Sequence, residues 1–285
     1  MIRGLDHVVH VVRDLEAAGA SYGALGFTVG ARNRHPWGTH NRLVQLPGFF
    51  IEMLEIAEPA AIPPHGEGRF SFGAFNRDFL AEVGQGPSML VLEGRDPLAE
   101  KEVFDLAGFG GFEIFDFARR GTRPDGSEVE VAFSLTFARD PAAPRAGFFT
   151  CLQRYPENFW APALQRHANG ASGIAGVVLT AAEPAAHAAF LSAFLGTDPR
   201  RAVDGWYVAH TPRGDVEVMS PELYAERFGV AAPVDATLRL AALRFAVADA
   251  GAVRASASAM EPMEGVTVVG PEDAFGAALV FETVS

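Results

Sequence analysis

Short apolar runs recur along the chain, and each opens a stretch with the same order of periods. Leu5-Asp6-His7-Val8-Val9 leads to Asp14, then to Leu15, Ala17, Ala18 and Tyr22 at helical spacing, then to segments of rough two-residue alternation closing on Phe49-Phe50-Ile51-Glu52-Met53-Leu54. A strand, a helix and several further strands satisfy that change of period. Asp14 predicts an N-cap, because its carboxylate can accept from the unpaired amides of the first turn, and Gly26 predicts the helix end before a strand Phe27-Thr28-Val29-Gly30.

The same order returns three times. Ser88-Met89-Leu90-Val91 is followed by Asp96-Pro97, a cap before proline at the first helical position, and by a glycine break from Gly108 to Gly111. Pro124-Asp125-Gly126 then predicts a turn joining Phe112 to Thr122 with Glu128 to Ala138, ahead of the closing run Gly147 to Gln153. Superposing the two units sets Met89 against His7 and Cys151 against Glu52. A third unit starts at Gly173 to Val178, continues through an alanine-rich helix from Pro184 to Leu195 and closes on Asp215-Val216-Glu217-Val218-Met219, with Gly176 in the histidine position and Glu217 keeping the carboxylate. A fourth runs from Leu240 to Phe245 and closes on Ala278 to Glu282, with Ala242 and Val280 at the two positions. Four strand-rich units predict an α+β protein of two domains, 1–170 (units of about 1–56 and 87–155) and 171–285.

Composition narrows the partners. A formal charge of −12 argues against nucleic acid and against an anionic membrane surface. Arg119, Arg120 and Arg123 read as a solvated strand end and turn, with an anion clamp as the minority reading. No basic leader with an apolar core opens the sequence and no run is long enough to span a bilayer, while one cysteine excludes a disulfide framework, so a soluble cytoplasmic monomer or homodimer is expected. Three stretches interrupt the units, at 57–86, 155–172 and 224–237. The first two are long enough to cover a pocket, and Phe159 and Trp160 in the second are expected to pack one domain on the other, with a pocket wall as the alternative.

His7 and Glu52 carry the chemistry. Strand parity places Leu5, His7 and Val9 on one face and Phe50, Glu52 and Leu54 on one face, so the two side chains meet if those faces meet. An imidazole nitrogen and a carboxylate oxygen suit a divalent ion such as zinc, manganese, nickel or iron. Two ligands hold an ion weakly, and His35, His40 and Gln153 are the candidates for a third. A buried histidine satisfied by Glu52 without metal accounts for the same residues, since a carboxylate in so apolar a strand needs some partner. His10 lies on the opposite face and is expected to be structural, His187 is expected at the surface, and Cys151 as a small buried hydrophobe. Substrate contacts are expected from Trp37, His40, Asn41, Phe50, Met89, Cys151 and Gln153.

The motifs Leu5-Asp6-His7-Val8-Val9, Leu25-Gly26-Phe27 and Phe50-Ile51-Glu52-Met53-Leu54 resemble the vicinal oxygen chelate superfamily, which includes glyoxalase I, extradiol dioxygenases and the fosfomycin and bleomycin resistance proteins. The stretch His35-Pro36-Trp37-Gly38-Thr39-His40-Asn41 is similar to its glyoxalase-like branch. The resemblance implies four βαβββ modules in two tandem domains, with cupped mixed sheets and flanking helices. It also implies His7 and Glu52 as metal ligands and catalytic residues. Met89 and Cys151 depart from the pattern of a complete glyoxalase site, and Gly176, Ala242 and Val280 from that of an extradiol dioxygenase. The expected function is a metal-dependent isomerase or lyase acting on a carbonyl or vicinal-oxygen compound in the N-terminal pocket, with no nucleotide cofactor. The alternative is a metal-free protein that sequesters a small hydrophobic compound.

Overall fold

The computed structural model describes residues 1–122, 126–234, 236–254, 259–263 and 265–284, without the side chains of 121, 122, 252, 254 and 259–263. The first module contains β1 (Leu5–Val12), α1 (Leu15–Ala24), β2 (Asn33–Arg34), β3 (Thr39–Leu46) and β4 (Phe49–Ile56), followed by α2 (Phe72–Glu82). The second contains β5 (Gly86–Glu93), α3 (Pro97–Leu106), β6 (Phe115–Thr122), β7 (Glu128–Ala138) and β8 (Gly147–Gln153), followed by α4 (Pro156–Phe159). The third contains β9 (Ala171–Thr180), α5 (Ala188–Leu195), β10 (Arg200–Val203), β11 (Trp206–His210) and β12 (Asp215–Met219), followed by α6 (Pro221–Phe228). The fourth contains β13 (Arg239–Val247), α7 (Ala250–Arg254), β14 (Ala259–Met263), β15 (Val266–Val269) and β16 (Ala278–Thr283).

The strands form two eight-stranded mixed sheets, ordered β2-β3-β4-β1-β5-β8-β7-β6 and β10-β11-β12-β9-β13-β16-β15-β14. Modules therefore pair within a sheet, first with second and third with fourth, through the antiparallel seams β1–β5 and β9–β13. Local chemistry starts the helices as expected: Asp14 accepts from the amides of Glu16 and Ala17 at 2.9 Å, and Asp96 from that of Ala99 at 3.1 Å. Gly26 ends the first helix at φ +84°, and a side chain there would meet the Asn169 backbone nitrogen at 2.8 Å. Residues 27–30 do not form the expected strand. Their backbone is claimed by other partners, Thr28 by the His167 ring at 3.0 Å and Gly30 by the Leu43 carbonyl at 2.8 Å. The strand expected from Phe112 begins at Phe115, and Arg123, Pro124 and Asp125 lie outside the described residues.

One face of each sheet, with α1, α3 and α5, joins a continuous apolar core that crosses between the sheets. Phenylalanines hold it together: Phe148 meets Phe190 at 4.6 Å, Phe27 meets Phe245 at 5.3 Å, and Phe104 meets Phe194 at 6.0 Å between ring centres. His187, expected at the surface, is buried in this contact, its Nδ1 2.6 Å from Asp140 Oδ2. Read alone, its helix offers a polar residue to water; docked on the first sheet, it offers the same residue to a carboxylate.

The two cups are furnished differently. In the second, β9 sets Gly176 beside Asp215 and Val178 beside Glu217, so Gly176 and Glu217 hold the places of His7 and Glu52 in the first. Glu217 is buried against two guanidinium groups, Arg244 Nη1 and Arg227 Nη1 (2.7 Å), and the Trp206 indole N–H (2.9 Å). A Cβ on Gly176 would come within 3.1 Å of Arg244 Nη1 and 2.9 Å of the Asp215 carbonyl, so the glycine makes room for the arginine. Tyr224 and Phe228 of α6 fill what remains of the cup. The second cup is a closed ionic and apolar core.

His10 supplies a pH-dependent part of the stability. Its Nε2 donates to the Phe275 carbonyl at 2.8 Å, its Nδ1 faces the Tyr22 hydroxyl at 3.1 Å, and burial lowers its pKa from 6.5 to about 4. The unfolded chain therefore binds the extra proton between these values, so the native state is fully favoured above pH 6.5 and loses about 2 kcal/mol through this group by pH 5. In urea unfolding at both ends of that window, His10→Gln should show a correspondingly smaller acid loss than wild type; an unchanged loss would exclude His10 as its source. Glu217→Ala, which leaves two buried guanidinium groups facing each other, should lower unfolding free energy by about 3 kcal/mol. A change near zero in the same assay would contradict the closed-core description.

Candidate active site

The floor of the first cup is built by register. The parallel β1–β4 ladder sets His7 beside Phe50 and Val9 beside Glu52, so His7 and Glu52 rise from adjacent strands one inner-face position apart. β3 brings Asn41 to the same face from the far side of β4, pairing with Leu54. β8 supplies Phe149 and Cys151, and the short turn between β2 and β3 supplies His35 and Trp37. Together with Phe72 of α2, Phe117 and Arg119 of β6, Phe133 of β7 and Phe159 of α4, these residues line a half-open cavity of about 50 Å³.

A β-bulge orients His7. Leu5 pairs with Leu92 and His7 with Val91, which leaves Asp6 as an extra residue in β1. Leu5 consequently joins the core between the sheets instead of sharing the face of His7, while Val9 keeps that face. The bulge brings Asp6 Oδ1 to 2.5 Å from His7 Nδ1, a contact that regular alternation denies to sequence neighbours. Asp6 is held in turn by Gln153 Nε2 at 3.0 Å from its other oxygen. His7 stacks on Phe50, with ring centres 4.2 Å apart, and its Nε2 is directed at Glu52.

Glu52 is buried without a close cation. Its Oε1 accepts from Asn41 Nδ2 at 2.6 Å and lies 3.7 Å from His35 Nε2, and its Oε2 lies 3.9 Å from His7 Nε2. Asn41 is oriented by its own contacts, since its Oδ1 accepts from Asn33 at 3.1 Å and its amide nitrogen also lies 3.3 Å from His35 Nε2. An amide donor at Nε2 fixes the His35 proton on Nδ1, which faces the Thr39 hydroxyl at 2.9 Å. Burial lowers the His35 pKa to about 4 against the pull of Glu52, so this ring is neutral at physiological pH. Burial, reinforced by Asp6, Glu52 and Glu100, pushes the Cys151 thiol well up, which keeps it protonated. Burial also lowers the Arg119 pKa, and the charge of Glu52 opposes that shift.

The donors suit a cation. Asp6, His7 and Cys151 form a buried group whose ligand-type atoms lie within 4.8 Å of one another and could bind a metal. Within it, Asp6 is already engaged by His7 Nδ1 and Gln153, whereas His7 Nε2 and Glu52 Oε2 face each other across an unbridged gap.

The cavity gathers His7, Glu52, His35, Trp37, Asn41, Phe50 and Cys151 of the residues selected from sequence. Three others lie elsewhere. His40 points to the opposite face of β3, where Arg32 Nη1 lies 2.8 Å from its Nδ1 and Glu58 3.6 Å from its Nε2. Gln153 serves Asp6, and Met89 packs under Gly147 and Asn76. The ladders also show that the two ends of the unit superposition were two residues out of step: Met89 pairs with Gly147 and Cys151 with Glu93, so the counterpart of Glu52 is Phe149 if that of His7 is Met89. Asp6 and Phe72 were missed as site residues, and Arg119, read first as part of a solvated strand end with an anion clamp as the minority reading, lines the cavity. Ser71 before Phe72, Phe75 and Phe79 at helical spacing was the available signal for α2, which Ser71 caps through the Ala74 amide at 3.2 Å.

A glyoxalase-like domain matches residues 5–195. No curated protein matches the chain. Among solved structures, a hypothetical protein from Staphylococcus aureus superposes with a TM-score of 0.68 at 13% identity, covering 99% of each chain. A xylose isomerase-like TIM barrel/4-hydroxyphenylpyruvate dioxygenase fusion protein gives 0.56 at 13% identity, over 100% of this chain and 49% of the fusion. A mutant 4-hydroxymandelate synthase from Streptomyces coelicolor gives 0.54 at 11% identity, over 100% and 94%. At these identities the structures share the fold of tandem vicinal-oxygen-chelate domains, and the matched domain over residues 5–195 places this chain in the glyoxalase-like domain family.

Proposed function

We propose that the chain is a small-molecule enzyme of isomerase or lyase type, acting on a carbonyl or vicinal-oxygen compound between His7 and Glu52. The observation that carries this reading is the 3.9 Å separation of His7 Nε2 from Glu52 Oε2. It is too long for a hydrogen bond and short enough for one ligand atom or one cation to touch both. The remote atoms of both groups are occupied, Nδ1 by Asp6 and Oε1 by Asn41, so the facing atoms are the ones left to act. Glu52 Oε2 is placed to take a proton from carbon beside a carbonyl, and the unprotonated His7 Nε2 would hold the divalent cation that polarises that carbonyl. Asp6 fixes the ring that does so, and the phenylalanines around the pair keep water from competing. A divalent zinc, manganese, nickel or iron ion held by His7 and Glu52, with His35 as third donor, would supply Lewis-acid polarisation of the carbonyl. A metal-free binding protein is the second reading. It is favoured by Met89 and Cys151, which add no carboxylate or imidazole from the second module.

Elemental analysis after incubation with each ion separates the readings. Wild type and His40→Ala should retain a near-stoichiometric metal that His7→Ala and Glu52→Ala lose; a wild type that retains none supports the binding protein. Proton transfer is read by deuterium exchange, followed by NMR, on α-hydroxy and α-keto compounds in heavy water. Glu52→Gln should slow exchange by about 100-fold or more, and Asp6→Asn by less. Equal rates in Glu52→Gln and wild type would remove Glu52 from the chemistry.

A further inference from the structure

Among the described residues Arg119 is the one guanidinium lining the cavity, and none of them gives it a hydrogen-bond or ion-pair partner. Its place is set by strand parity: on β6 it follows Phe117 by two residues, on the same inner face and closer to the β6–β7 hairpin. Below it, Phe117 stacks on Phe133 with centres 5.0 Å apart and meets Trp37 edge-on at 4.8 Å. A half-buried guanidinium in a cavity lined by aromatic rings is poorly solvated, and its planar fork matches a carboxylate in two parallel hydrogen bonds. Glu52 and His35 interact with Arg119 electrostatically, and Glu52 lies beyond ion-pair distance of it. The cavity therefore holds one cation, a wall of aromatic rings, and the His7–Glu52 gap.

We infer that Arg119 is the specificity-determining residue and that the site takes small aromatic monocarboxylates. The carboxylate pairs with Arg119, the ring lies against Phe117 and Phe133, and the opposite end of the ligand reaches His7 and Glu52. The inference rests on the functional reading above for what happens at the floor, and it adds the class of molecule that enters. It also separates the arginine from its neighbour in sequence, since Arg120 is exposed and pairs with Glu128 at 3.1 Å on the outer side of the hairpin.

The test is calorimetric titration of metal-free protein with benzoate and phenylacetate, and with their neutral counterparts benzamide and phenylacetamide. The carboxylates should bind at least about tenfold more tightly than the amides, with the advantage shrinking as salt is added. Arg119→Gln should remove the advantage, Arg119→Lys should keep part of it, and Arg120→Gln should leave it whole, with thermal melts confirming that each variant is folded. Glu52→Gln should bind the carboxylates as well as wild type or better, because it loses only a repulsive charge. Amides equal to carboxylates, carboxylates that do not bind, or an advantage that survives in Arg119→Gln would each overturn the inference. The two proposals fail separately. Arg119-dependent binding without metal retention or proton exchange leaves the anchor standing and removes the enzyme; exchange and metal retention with Arg119-independent binding does the reverse.

Discussion

A carboxylate on the inner face of a curled apolar sheet has to be answered, because burying it unpaired costs more than a domain's margin of stability. Glu52 and Glu217 occupy the same place in two related cups and receive opposite answers. Glu217 is met by Arg244, Arg227 and Trp206, and the helix α6 fills the space around it. Glu52 is met by a neutral amide and by two imidazoles beyond hydrogen-bond distance, with open space in front of it. The first answer saturates the charge and closes the cup. The second leaves valence for something that arrives from outside.

The asymmetry runs through single positions. Gly176 in place of a histidine leaves the room that Arg244 uses, and Arg244, doubly hydrogen-bonded to Glu282, is fixed in that room. Burial alone would lower the Arg244 pKa, yet the bond to Glu282 and the charges of Glu217, Glu282 and Asp215 raise it. In the first cup the matching position is His7, whose ring would occupy that room, and among the described residues the one guanidinium lining the cavity, Arg119, makes no ion pair with Glu52. The Asp6 bulge completes the difference by turning His7 Nε2 toward the carboxylate. One cup then carries the pocket while the other braces the shared phenylalanine core.

Much of this could be read in the sequence, and the limits have physical causes. Asp14, Gly26 and Asp96 act locally, so the module grammar was legible from their chemistry alone. The pairing of His7 with Glu52 followed from parity and a parallel ladder. Parity failed at Leu5 and Asp6, where an extra residue shifts the face without leaving a sign in composition. His40 was misplaced by one position, which on a strand is the difference between the cavity and the opposite, here buried, face of β3. His187, Gln153 and Arg119 are set by contacts between modules far apart in sequence, and no local pattern announces those partners. For Phe159 the alternative reading holds: it forms part of the cavity wall, its ring centre 5.0 Å from that of Phe50.

In the cavity His7 presents an unprotonated Nε2 to Glu52 while Asp6 holds the proton on Nδ1. Nitrogen-15 resolved NMR of the His7 ring, in mildly alkaline solution before and after addition of zinc, tests this arrangement directly. A proton on Nδ1 throughout is expected, with a shift of the Nε2 resonance when zinc is added. A neutral ring with its proton on Nε2, or an Nε2 resonance that zinc does not move, would contradict it.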